Sequence, residues 1–161
     1  MKLLVVCLGN ICRSPMGEGA LRARLDASHW AGQVTVDSAG IGGWHAGEPP
    51  DKRAIACARG HGVDIAGLRA RQLCAADFAD FDWLLCADAD NLRDVRAMAP
   101  RGRVHKTALL LDWAAGRDIG AQVPDPYCGG PEDFERVWQR VDAAALQAVA
   151  RLDGLQGRIA G

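Results

Sequence analysis

A cysteine and an arginine six residues apart, Cys7 and Arg13, carry the chemistry most legible in this sequence. They bracket the run Cys7-Leu8-Gly9-Asn10-Ile11-Cys12-Arg13-Ser14-Pro15, which follows the apolar stretch Leu3-Leu4-Val5-Val6. The apolar stretch reads as a buried strand. Ser14 and Pro15 read as a helix start, with Ser14 as the cap and Pro15 at the first helical position. The residues between them form a loop from strand end to helix start. A helix beginning there aims free N–H groups and the positive end of its dipole into the loop. A cysteine in that field is driven toward the thiolate, the nucleophilic form. The guanidinium of Arg13 is a planar fork matched to phosphate oxygens. Nucleophile, anion cradle and fixed cation together describe phosphoryl transfer to sulfur. Cys-x5-Arg alone is a weak pattern, but the preceding strand, the Gly9-Asn10 turn and the Ser-Pro helix start supply the context it requires.

The elements that must hold this loop can be read in order. A first strand covers Lys2 to Cys7, and a first helix runs from Ser14 toward Leu25 with Ala20, Leu21 and Leu25 on one face. Gln33 to Ser38 predicts a second strand. Ala39 to Pro50, rich in Gly and Pro, predicts a loop. Its Gly40-x-Gly42 start is not a dinucleotide fingerprint, because His45 holds the third glycine position and no helix follows. Asp51 can cap a helix that ends near His61-Gly62. Phe81 to Cys86 predicts a third strand, followed by a helix near Asp88 that stops before Pro100. Arg103 to Lys106 predicts a short fourth strand, and Ala108 to Trp113 a short helix. The last helix starts near Pro131, where Phe134, Val137, Trp138, Val141, Ala145, Val149 and Leu152 keep a 3.6-residue stripe. Strands alternating with helices imply a three-layer α/β fold, a parallel sheet with helices on both faces. In such folds the ligand sits beyond the carboxyl ends of the strands, where strand order reverses. Cys7 lies at such an end.

The 161 residues fit one domain, 1–161, able to bury roughly two thirds of its unfolded surface. The formal net charge is −1, with no block of Lys or Arg, so nucleic-acid and anionic-membrane binding have no compositional support. The apolar run after Lys2 is too short for a secretory signal, and no stretch approaches a membrane span. The six cysteines, at 7, 12, 57, 74, 86 and 128, form no Cys-x-x-Cys pair and show no zinc-like spacing with the four histidines. We expect reduced thiols, a cytoplasmic protein, and neither metal nor cofactor. His29, His45, His61 and His105 receive no role.

The sequence resembles the low-molecular-weight protein tyrosine phosphatases. The resemblance rests on Val6 to Pro15, then Asp37-Ser38-Ala39-Gly40, Ala70-Arg71-Gln72, Asp88-Ala89-Asp90-Asn91-Leu92 and Asp125-Pro126-Tyr127, in family order over nearly the whole chain. It implies a four-stranded sheet in the order 2-1-3-4, which puts the reversal beside strand one. It implies Cys7 as nucleophile, Arg13 and the backbone of Leu8, Gly9, Asn10, Ile11 and Cys12 as the oxyanion cradle, and Asp125 as the proton donor. From the dipeptide alone, Asp125-Pro126 reads as a turn. Asn10 and Ser38 support the loop, because Asn tolerates left-handed backbone and both side chains bond locally. Ser14 lies where its hydroxyl can reach the Cys7 sulfur. Family members add a histidine to this network; here Gly67 or Leu68 stands in its place, so a truncated network is expected. Trp44, in a Gly/Pro-rich loop, and Tyr127 are the expected pocket walls. Relatives carry a second aromatic after Tyr127, where this chain has Cys128.

The partner this implies is a tyrosine-phosphorylated protein, with inorganic phosphate or a similar oxyanion held by the same loop. Two other activities compete. Arsenate reduction on this fold needs three thiols; Cys86 matches the second, but the third falls at Arg93. Protein arginine phosphatases resemble the loop but carry Thr at the place of Ile11. Cys12, five residues from Cys7 in a curled loop, reads either as packing beneath the loop or as a thiol able to trap an oxidised Cys7.

Overall fold

The computed structural model describes residues 1–159. Its centre is β1 (Lys2–Cys7), buried from Leu3 onward. β2 (Thr35–Gly40) pairs with one edge of β1 and β3 (Trp83–Cys86) with the other; β4 (Thr107–Leu109) lies outermost beside β3. All pairs are parallel and the order is β2-β1-β3-β4, as expected from the resemblance. Parallel neighbours must be joined by crossovers on the faces of the sheet. Here these are α1 (Arg13–Asp26) from β1 to β2, α2 (Lys52–Gly60) and α3 (Asp77–Asp80) from β2 to β3, and α4 (Ala89–Met98) from β3 to β4; α5 (Leu110–Ala115) and α6 (Pro131–Ile159) follow the last strand.

Successive side chains of a strand point to opposite faces, and β1 divides the core accordingly. Leu3, Val5 and Cys7 pack with Met16, Leu21 and Leu25 of α1, Trp113 of α5, and Phe134, Val137, Trp138 and Val141 of α6. Leu4 and Val6 face the other way, into Phe78, Phe81, Leu84, Cys86 and Val95. The stripe read along the last helix is thus the seam that covers the first face.

Several boundaries differ from those expected, each for a local reason. β2 runs two residues further than expected, because Ala39 and Gly40 keep pairing with Val6 and Cys7. Gln33 instead closes a turn onto the Trp30 carbonyl. Arg103 to Lys106 is not a strand. Val104–Lys106 is a 3-10 turn, and the strand is the next three residues. Lys106 serves as a clamp instead, its Nζ donating to the carbonyls of Phe78 and Phe81 at 2.9 and 3.0 Å and tying down the end of α3. That single-turn helix has no signal in the sequence. α1 begins at Arg13 with Cys12 at its cap position, not Ser14, and no side chain caps it. The Ser14 hydroxyl bonds to Cys7 and Asn10 instead. Pro15 then stands third in the helix, still within the first turn, where its missing N–H removes no intrahelical bond. Residues 160 and 161, which the expected 1–161 domain includes, lie outside the described residues.

Candidate active site

At the carboxyl end of β1 the chain leaves Cys7, curls through Leu8–Cys12 and enters α1. The curl depends on Asn10, the one non-glycine residue of positive φ among the described residues, at 57°. Asn tolerates this left-handed conformation better than other side chains. Its buried amide also fixes the loop from within. Nδ2 donates to Ser14 Oγ at 2.7 Å and to Ser38 Oγ at 2.9 Å, while Oδ1 accepts from the Arg71 backbone N–H at 3.0 Å.

The proton directions in this network follow from counting donors. The two Asn10 Nδ2 hydrogens go to the two serine oxygens. Ser38 Oγ then donates its own proton to Glu18 Oε1 at 2.7 Å. Ser14 Oγ accepts from Asn10 and lies 3.0 Å from the sulfur of Cys7, to which its own proton is available when that sulfur is the thiolate. The network therefore does not stop for want of the histidine: it runs inward to Glu18, which is 1% exposed. Burial pushes the Glu18 carboxyl above the ordinary carboxylate range, opposed by its bond from Ser38 and by Arg22. Glu18 Oε2 lies 2.7 Å from Arg22 Nη2 without forming an aligned hydrogen bond.

Arg13 is buried and held through Nη1, which donates to Asp88 Oδ2 at 2.6 Å and to the Val123 carbonyl at 3.1 Å. Asp88 serves two elements, because its Oδ1 accepts from Asn91 N–H at 2.7 Å and caps α4. Arg13 Nη2 lies 3.7 Å from Asp125 Oδ2. The segment bearing Asp125 is anchored at its base. Asp112 accepts from the N–H groups of Gly120 and Ala121, and Val123 N–H donates to the Ala87 carbonyl. Asp125 itself is half exposed at the tip, with Oδ1 accepting from Tyr127 N–H at 3.1 Å.

These parts enclose a cleft of about 220 Å³. Cys7, Leu8, Gly9, Ile11, Cys12 and Arg13 line it from the loop, and Asp125 lines it from the opposite segment. Cys7 is 3% exposed, whereas Trp44 and Tyr127 at the mouth are 69% and 52% exposed. Asn10, Ser14 and Ser38 lie beneath the lining as its support. Arg53 sits over the Tyr127 ring at 5.6 Å and over Phe134 at 4.6 Å, so the Tyr127 wall is braced from α2. Behind the loop, a Cβ at Gly40 would stand 3.0 Å from Leu8 O, Gly9 C and Gly42 O, all backbone atoms unable to yield. The second strand therefore closes the back of the loop.

Three participants are not legible from sequence. Glu18 looks like any acidic helix residue until the fold buries it. Asp88 carries a helix-cap signal that conceals its grip on Arg13. His45 lines the mouth, bonded through Nδ1 to Glu48 Oε2 at 2.7 Å and packed against Gly9. Cys12 lines the cleft, and its thiol is pushed up to about 12, chiefly by burial and then by Asp51.

A parallel α/β sheet with a cysteine-to-arginine anion loop at the end of its central strand defines a class, the cysteine-dependent phosphoryl-transfer enzymes. Comparison with known proteins narrows it. Residues 2–156 match the family model described as low molecular weight phosphotyrosine protein phosphatase. The low molecular weight protein-tyrosine-phosphatase YfkJ of Bacillus subtilis is 40% identical over 152 residues, 94% of this chain and 96% of that protein. A solved protein tyrosine phosphatase from Entamoeba histolytica, with Hepes in its active site, has TM-score 0.89 and 31% identity, covering 97% of this chain and 99% of that one. Vibrio vulnificus Wzb in complex with benzylphosphonate has TM-score 0.79 and 36% identity, covering 93% of this chain and 97% of that one. The chain belongs to the low molecular weight protein tyrosine phosphatases, hydrolases that work through a phosphocysteine intermediate.

Proposed function

We propose that Cys7, Arg13 and Asp125 are the catalytic residues and that the substrate is phosphotyrosine displayed on a protein. The observation that carries this is the Ser14 hydroxyl 3.0 Å from Cys7 Sγ, beside an Arg13 fixed through Nη1 by Asp88. The thiolate attacks phosphorus from the floor of the cleft while Arg13 and the backbone N–H groups of residues 8 to 13 hold three oxygens and absorb charge. Asp125 gives its proton to the departing tyrosyl oxygen. It then takes a proton from the water that cleaves the phosphocysteine, releasing inorganic phosphate and restoring the thiolate.

Depth supports the substrate choice. A phosphate must pass the Trp44–Tyr127 mouth to reach a sulfur that is almost fully covered, so a long carrier is favoured over phosphoserine or phosphothreonine. The two aromatic walls and Ile11 suit a ring better than the charged guanidinium of phosphoarginine. That the Vibrio relative's structure holds benzylphosphonate, a ring bearing a phosphorus oxyanion, supports the same reading. Arsenate reduction is disfavoured: Cys86 lies fully buried in β3 with its thiol pushed far up by desolvation, and no cysteine stands near Arg93. We read residues 1–161 as one phosphatase domain. No helix among the described residues is long and apolar enough to cross a membrane, and a cytoplasmic setting suits a nucleophilic thiol kept reduced.

The test is turnover of phosphotyrosine, phosphoserine, phosphoarginine and arsenate side by side, with Cys7→Ser as control. Phosphotyrosine is expected to be turned over far faster than the other three, and Cys7→Ser to be inactive yet folded and still able to bind inorganic phosphate. Asp125→Ala should lower kcat by about 10²–10⁴-fold for poor leaving groups and far less for good ones. Equal losses for both would remove Asp125 from the proton-donor role, and faster phosphoarginine turnover would overturn the reading of Ile11 and the aromatic walls.

A further inference from the structure

Away from the cleft, the end of α2 and the start of α6 bring three unlike ligands together. Cys57 Sγ, His61 Nε2 and the Glu135 carboxylate all lie within 4.8 Å of one another. Cys57 donates to Glu135 Oε2 at 3.5 Å, and His61 Nε2 lies 2.8 and 2.9 Å from Oε1 and Oε2. One side chain of α2 and one at its C-terminal cap thus point at a single carboxylate on α6. Cys57 and His61 are four residues apart, the spacing that stacks two side chains on one helix face. Spacing in sequence gives no zinc signal here, because Cys57-x3-His61 supplies only two ligands and the third comes from a residue 74 positions on from His61.

We propose that Cys57, His61 and Glu135 form a binding site for a zinc-class divalent cation that clips α2 to α6. Thiolate, imidazole and carboxylate together are a borderline donor set of the kind Zn²⁺ takes, with three protein ligands and a water in the fourth position. The His61 and Glu135 positions are open to solvent, which gives the ion entry and the water its place. A tetrahedral zinc would hold its nitrogen and oxygen ligands about 3.3 Å apart and its sulfur and nitrogen about 3.6 Å apart. The present spacings need to change by only about half an ångström at the His61–Glu135 pair, within the reach of an exposed Glu side chain.

The surroundings already orient the ligands. The His61 ring stacks on Trp138 at 5.3 Å and 14°, and Gln139 Nε2 donates to Glu135 Oε1 at 2.8 Å. Orienting contacts of this kind typically support metal ligands. On binding, Cys57 releases its thiol proton to solvent, His61 coordinates as the neutral ring with its proton on Nδ1, and Glu135 exchanges two hydrogen-bonded protons for one cation. The site stands apart from the phosphatase chemistry, and its test does not depend on turnover.

The experiment is titration of the apo protein with Co²⁺, read by visible absorption, followed by displacement with Zn²⁺. One equivalent should give tetrahedral d–d bands with a thiolate charge-transfer band. Cys57→Ser should abolish the charge-transfer band, and His61→Ala, at an exposed position, should weaken binding at least tenfold. Cys7→Ser should bind as wild type does. In thermal melts, Zn²⁺ should raise the Tm of wild type but not of His61→Ala. Absence of a one-equivalent band, or a band that survives Cys57→Ser or vanishes in Cys7→Ser, would overturn the site.

Discussion

Asn10 offers the sharpest test of how the loop is held, because its backbone and side-chain contributions separate across two variants. Its φ of 57° costs an ordinary L residue about 1–2 kcal/mol, a penalty that glycine escapes. Glycine instead adds about 0.5–1 kcal/mol of backbone entropy to the cost of folding. Both Asn10→Ala and Asn10→Gly remove the same three bonds, to Ser14, Ser38 and the Arg71 N–H. Orphaning the Arg71 N–H costs about 1–3 kcal/mol, and each of the two serine bonds about 1 kcal/mol net. Asn10→Gly should therefore lose about 3.5–6 kcal/mol in urea denaturation, lowering Tm by about 10–20 °C. Asn10→Ala should be less stable again, by up to about 1 kcal/mol. Turnover should fall in both by about 5- to 30-fold, since the Ser14 proton is no longer directed at Cys7, a contact of about 1–2 kcal/mol. An alanine variant as stable as the glycine one would refute the backbone term. Undiminished kcat in either would refute the claim that Asn10 sets the direction of the Ser14 proton.

Further outcomes follow from the surrounding contacts. Asp88→Ala should lose both the α4 cap, about 1 kcal/mol, and at least tenfold in kcat/KM as Arg13 loses its carboxylate. Asp88→Asn should regain the stability but not the kcat/KM, a split that urea melts and steady-state kinetics will show. Glu18 has a folded-state carboxyl raised above its ordinary value of 4.5. The stability it contributes is thus full below the unfolded value and lost as pH rises through the folded one. Urea midpoints of Glu18→Gln relative to wild type should accordingly move in the variant's favour between acidic and neutral pH; a constant difference would contradict the raised carboxyl. Peroxide should oxidise Cys7 to the sulfenic acid, which Cys12 condenses with to give a disulfide and water. Dithiothreitol should then restore wild type but not Cys12→Ser, and equal recovery would assign Cys12 to packing alone.

The local features of this chain are readable where one residue type answers one physical need. The Cys7-to-Arg13 loop, the Asp51 and Asp88 caps and the stripe of the last helix all need only neighbours in sequence, and the caps do accept from Arg53 and Asn91 N–H groups. Strand order comes from family resemblance, since nothing in the strands themselves sets 2-1-3-4. What stays hidden is decided across the fold. Ser14 reads as a cap, but the sulfur and the Asn10 amide compete for its hydroxyl and win. Lys106 reads as part of an edge strand until the carbonyls of Phe78 and Phe81 turn out to need a donor. Glu18, His45 and His61 acquire meaning only from partners 20, 3 and 74 positions away, and even the short separation of His45 from Glu48 lies in an irregular loop without a period to reveal it.

The closed back of the loop, where Gly40 presses on Leu8 and Gly9, bears on traffic during turnover. With β2 behind and the Asn10 network beneath, molecules enter and leave the cleft from the solvent side, where Trp44 and Tyr127 stand exposed. Under the proposed chemistry, the dephosphorylated tyrosine must withdraw before hydrolytic water can line up on the phosphocysteine, and inorganic phosphate is then the last to depart. The order of product release thus follows from a sulfur that can be approached from the open side alone, and a glycine in the second strand helps to keep the back closed.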